Sequence, residues 1–151
     1  MGTNFYLFTK DKEFKEKYFG SRAEIVDTPE FGYQLHIAKT SAGWLPLFES
    51  SELIKSVHDI TNAILGGARV IDEYGDEYTM DEFTKRVLMW NGGTRANRSV
   101  KHYKQDTDSP YFDKNMPDFI PVSHFEYAGG WYRNEFYTDR DGYEFTNKEF
   151  S

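Results

Sequence analysis

Hydrophobic positions along the chain follow two periods, one of two residues and one near 3.6, and the switches between them outline the elements. Residues 4–9 read Asn-Phe-Tyr-Leu-Phe-Thr, apolar on both faces, which predicts an interior strand. Phe14 and Tyr18 stand four apart in residues 11–19 and predict one or two helical turns, ended by Gly20. A short strand is expected over 23–27, before Pro29 and Gly32 punctuate the chain. Residues 33–38 alternate cleanly: Tyr33, Leu35 and Ile37 on one side, Gln34, His36 and Ala38 on the other. Residues 44–48 are apolar, but Pro46 has no N–H to give a ladder, so an edge or a bulge is expected there. Between these two strands, residues 39–43 have the length of a hairpin loop.

Helical spacing takes over at residue 51. Leu53, Val57, Ile60 and Ile64 form one stripe over 51–65, with Ser50 or Ser51 as cap and Gly66-Gly67 as stop. Residues 69–79 predict a hairpin turning at Tyr74-Gly75-Asp76. Thr79-Met80-Asp81-Glu82 is a capping box, and the helix it opens carries Met80, Phe83, Val87 and Trp90 on one face. Gly92-Gly93 closes it. Residues 94–122 show no period and hold Pro110, Pro117 and Pro121, which reads as a long irregular loop. Residues 123–151 are dense in aromatics, with turns at Gly129-Gly130 and Asp141-Gly142, and predict a β-meander. The expected fold is a single α+β domain over 1–151: a small antiparallel sheet, two main helices on one face, and the 94–122 loop.

Composition sharpens this picture in three ways. Aromatics are 18% of the 151 residues, enough apolar area to build a core and to argue against whole-chain disorder. The net charge of -7 argues against strong direct binding to nucleic acid, whose backbone an acidic surface repels. There is no cysteine, which removes disulfides, thiolate metal sites and a cysteine nucleophile. No apolar run reaches the roughly 20 residues of a membrane span, and no signal peptide opens the chain. A soluble, cytoplasmic protein is expected, without membrane association and without a cofactor.

Three blocks stand out: Gly2-Thr3-Asn4-Phe5-Tyr6 at the start, Leu35-His36-Ile37-Ala38-Lys39-Thr40-Ser41-Ala42-Gly43-Trp44 in between, and Glu149-Phe150-Ser151 at the end. Together they resemble a family of small phage-encoded proteins that begin GTNYY, contain LHIGKSSAGW and finish EFS. The resemblance implies a phage origin, hence the cytoplasm of an infected bacterium, and supplies no mechanism. Many members of that family carry a Cys-x-x-Cys pair, similar to a zinc knuckle, ahead of the LHIGK strand. This chain has no cysteine there, so no metal site follows. Ala38 also replaces the family's glycine and narrows the backbone options at that point.

Several constellations carry candidate chemistry. Lys39, Thr40, Ser41, Ala42 and Gly43 have the ingredients of an anion nest, with Trp44 to stack a base and His36 on the preceding strand. That would make a nucleotide or phosphate-ligand binder; the plain alternative is a turn whose hydroxyls satisfy local backbone. His36 with a nearby carboxylate would make a small hydrolase or transferase, although no serine sits in a nucleophile elbow and no histidine pair has metal spacing. Charge is segregated. Residues 70–84 hold Asp72, Glu73, Asp76, Glu77, Asp81 and Glu82 with no Lys or Arg, while residues 84–105 hold Lys85, Arg86, Arg95, Arg98, Lys101 and Lys104 with no acid. The functional reading is a partner-binding surface built on Asp72, Glu73, Asp76, Glu77, Arg95, Arg98, Lys101 and Lys104. The plain alternative is a solvated surface with acids favouring a helix N-terminus. The reading preferred overall is a non-catalytic phage accessory protein that binds and inhibits a host protein, by class a bacterial defence component in the manner of an anti-CRISPR.

Overall fold

Residues 2–27, 30–42, 44–93, 104–105, 120–127, 130–132 and 136–147 are described in a computed structural model of the chain. The expected interior strand, β1 (Gly2–Thr9), pairs antiparallel with β3 (Gly32–Ser41) on one side and β5 (Arg69–Asp72) on the other. Period two then sorts its side chains. Phe5 and Leu7 stand opposite Ala38 and Leu35 in β3, and opposite Asp72 and Val70 in β5. Tyr6 and Phe8 share the other face with His36, Gln34, Ile71 and Arg69.

A β-bulge interrupts the β1–β3 register between Phe5 and Tyr6, where the partner jumps from Ala38 to His36. Ile37 is the extra residue. Alternation therefore breaks: Ile37 and Ala38 are both 0% exposed in the core, and Ala38 does not share the His36 face as its parity predicts. The ladder also runs further than the alternation suggested, pairing Asn4, Thr3 and Gly2 with Lys39, Thr40 and Ser41.

The sheet runs β6 (Glu77–Tyr78), β5, β1, β3, β4 (Leu47–Glu49), β11 (Glu144–Thr146), β10 (Phe136–Thr138), β8 (Ile120–Tyr127), β7 (Lys104–Gln105). β2 (Glu24–Val26) pairs with β3, and β9 (Gly130–Tyr132) with β8. The architecture is α+β, but the sheet is mixed rather than purely antiparallel, because β11 lies parallel to β4. That pairing sets Phe145 opposite Phe48, their rings stacked at 5.2 Å. It also puts β4 inside the sheet. Pro46 falls just ahead of the first ladder residue, so its missing N–H costs nothing and no edge is required. The C-terminal strands are not a simple meander, since β9 and β10 both pair with β8, at opposite ends of it. The expected 94–122 loop lies outside the described residues, apart from β7 and the first residues of β8.

Gly32 lets β3 pass under the Phe8 ring, which a Cβ there would strike. The first helical segment, α1 (Lys12–Phe14), is capped by Asp11, whose carboxylate accepts from the Glu13 and Phe14 amides, and it continues as a π-helical turn, Lys15–Phe19. Gly20 (φ 75°) ends it in a conformation that favours glycine. The second, α2 (Val57–Leu65), is shorter than the apolar stripe predicts. It begins at Ser56, whose hydroxyl accepts from the Asp59 amide. Leu53 is thereby left outside the helix and 41% exposed. The third, α3 (Met80–Phe83), opens with the predicted capping box and continues as the π-helical turn Thr84–Leu88. Phe19, Val57, Ile60, Ala63, Phe83 and Val87 from these segments meet Phe5, Leu7, Leu35, Phe48, Val70 and Phe145 in one core, which places the helical layer on the Phe5 face.

Candidate functional site

His36 lies on the opposite face, stacked on Tyr6 with centroids 4.8 Å apart. Its Nδ1 is 4.0 Å from Oε1 of Glu49, a carboxylate only 5% exposed and 3.8 Å from Arg22 Nη1. A histidine beside a buried carboxylate is the pair expected of an acid–base catalyst. Burial pulls the His36 pKa from 6.5 down to about 4, outweighing a hydrogen bond with the Ala38 backbone. The imidazole is therefore neutral at pH 7 and a weak base. Tyr6 is pushed up, first by burial and then by Glu73, Glu24 and Glu49. Tyr6, His36, Glu49 and Arg22 thus form a packed polar cluster.

Of the expected 39–43 anion loop, the first three residues belong to a strand and Gly43 lies outside the described residues. Lys39, Thr40 and Ser41 are ladder residues opposite Asn4, Thr3 and Gly2, and a nest needs successive free amides in a turn. Beyond the bulge at Ile37 the β1–β3 ladder continues to Ser41. Thr40 is 1% exposed. Ser41 accepts from the Trp90 indole N–H at 3.1 Å and from the Trp44 amide at 3.1 Å. The Trp44 carbonyl takes the Asn91 amide at 2.7 Å. These residues anchor the end of the third helical segment to the sheet.

The acidic stretch divides into internal and projecting groups. Asp72 is 5% exposed, not a surface acid. Its Oδ1 accepts from the Tyr74 and Asp76 amides at 2.8 and 3.0 Å, and its Oδ2 from the Tyr78 hydroxyl at 2.7 Å. Burial first, then Asp72, pushes Tyr78 up to about 12. Glu73 accepts from the Asn4 amide at 2.9 Å, Glu77 takes Arg69 at 2.7 Å, and Glu82 closes the capping box. Asp76 and Asp81 are exposed, and their side chains make no such contact among the described residues. Between Glu73 and Asp76, at the apex, Tyr74 is 69% exposed. Charge pattern does not mark Tyr74; an aromatic at the apex of a glycine turn is the signal that finds it. Arg95, Arg98 and Lys101 lie outside the described residues, and Lys104 belongs to β7.

Arg86 was read only as one member of the basic stretch. Its guanidinium carbon sits 5.2 Å from the Phe5 ring centroid and 4.8 Å from that of Trp90, and Nη1 donates to the Thr40 hydroxyl at 3.4 Å. Among the described residues, no His, Asp and Glu group could hold a metal ion, and no helix is long and apolar enough to cross a membrane. No protein-family model, curated protein or solved structure matches the chain.

Proposed function

We propose that the chain is a non-catalytic binding protein that grips a basic patch of another protein with the β5–β6 turn. The observation that carries this reading is an aromatic side chain 69% exposed at the apex of a hairpin whose backbone is braced from within by Asp72. Tyrosine supplies large contact area at low entropic cost, and a braced turn loses little freedom on binding. Asp76 beside it, on a chain of net charge -7, gives the partner its sign and speeds encounter. The phage-like motifs put that partner in an infected bacterium. By class it is a host defence component such as a CRISPR effector, inhibited by occupancy.

A photo-crosslinking residue at position 74 tests this. In bacterial lysate it should label one host protein, and excess unmodified chain should compete the labelling away. Tyr74→Ala with Asp76→Lys should then weaken that complex at least about tenfold. The melting temperature should hold, because neither side chain supports the fold. Labelling that does not compete, or a double variant that binds as well as the parent, defeats the reading.

A further inference from the structure

We propose that Arg86 is the receptor of a small oxyanion site at the end of the β1–β3 pair, independent of the β5–β6 turn. Three observations converge on it. First, the guanidinium sits close to the Phe5 and Trp90 rings, and the Trp90 indole N–H donates to the Ser41 carbonyl. Second, it is half-buried yet pairs with no carboxylate among the described residues. Asp72, the buried acid in β5 opposite Phe5, already serves three donors. With Asp72 occupied by those three donors, the guanidinium keeps donors free for an incoming anion. Third, the one hydrogen bond uses Nη1, toward Thr40. Of the five N–H donors of a guanidinium, those on the Nε–Nη2 edge are left in the fork geometry that clamps two oxygens of one group.

The ligand class is therefore a planar or tetrahedral oxyanion able to accept two parallel N–H bonds, a carboxylate or a phosphate group. A halide cannot span the fork. Trp90 would form one wall of the site.

The test follows the Arg86 Nε–H signal by NMR in the intact chain, titrated at constant ionic strength with sodium phosphate, sodium acetate or sodium chloride. The signal is identified by its loss in Arg86→Lys or, if that variant does not fold, by its through-space contacts to the Phe5 and Trp90 rings. A saturable downfield shift with phosphate or acetate and none with chloride is expected, and the more effective of the two identifies the source. Lysine keeps the charge without the fork, so Arg86→Lys should raise the dissociation constant about tenfold, followed on neighbouring amides. No saturable shift with either oxyanion, an equal shift with chloride, or unchanged affinity in Arg86→Lys overturns the proposal.

Discussion

At the scale of single residues, polar groups inside the sheet do more for the structure than their chemistry announces. His36 gives the clearest prediction. Its folded pKa of about 4 lies below the ordinary 6.5, so between those values the unfolded chain binds a proton that the native protein excludes. Stability is then fully present above pH 6.5 and is lost as pH falls toward 4, by about 3 kcal/mol from this group. Denaturant titrations at several pH values should show His36→Gln with a shallower loss over that window; parallel profiles would refute it. Asp72 makes the second prediction. Three donors converge on it, so Asp72→Ala strands two amides and a phenol and should cost about 3 kcal/mol in equilibrium unfolding. Tyr78→Phe removes one of those bonds and should cost about 1 kcal/mol. A nearly silent Asp72→Ala would show that the turn holds itself.

At the scale of elements, the start of α2 is held both by its own cap and by a partner far along the chain. Asp139 is 2% exposed and its Oδ2 accepts from the Val57 amide at 2.8 Å, while its Oδ1 takes the Asp141 and Tyr143 amides. Burial pushes its pKa above the ordinary carboxylate value, although these donors pull the other way. One side chain thus closes the β10–β11 turn and caps a helix. Ser56→Ala removes only the local cap and should cost about 1 kcal/mol. Asp139→Ala removes both jobs and should cost about 3 kcal/mol. Equal effects in thermal unfolding would mean that Asp139 does not couple the two elements. The hairpin and the capping box needed no such help: their turn and cap residues sit within a few positions of each other, so both were legible in the chain. At the start of α2 the Ser56 cap is local, whereas the Asp139 contact spans 82 positions and leaves no signal beside the helix.

At the scale of the whole molecule, the parallel β4–β11 pair joins the C-terminal strands to the N-terminal sheet. Phe48 and Phe145 are both 0% exposed and stack across that junction. Phe145→Ala should cost about 3–5 kcal/mol through lost burial and a residual cavity. A double-mutant cycle with Phe48→Ala should return a coupling of about 0.5–1.5 kcal/mol, the increment of a stacked pair. Additive effects would show that the two halves do not share this contact.

The fold class, the interior position of β1, the β5–β6 hairpin and the capping box were determined by the sequence itself. Each rests on apolar period or on cap and turn chemistry, whose partners are neighbours in the chain. Tertiary structure alone decided the bulge at Ile37 and the place of Lys39, Thr40 and Ser41 in the ladder instead of an expected loop. A one-residue shift in register leaves no mark on composition but exchanges the faces of every residue beyond it. Tertiary structure likewise separated the acids that look alike in sequence. Asp72 turned inward because donors converge on it there, and Asp76 stayed outside because none does. It also set Arg86 beside two aromatic rings, since the face a cation meets depends on which strands the third helical segment packs against. Charge and hydropathy are properties of a residue, whereas burial and partners belong to the surface that closes over it.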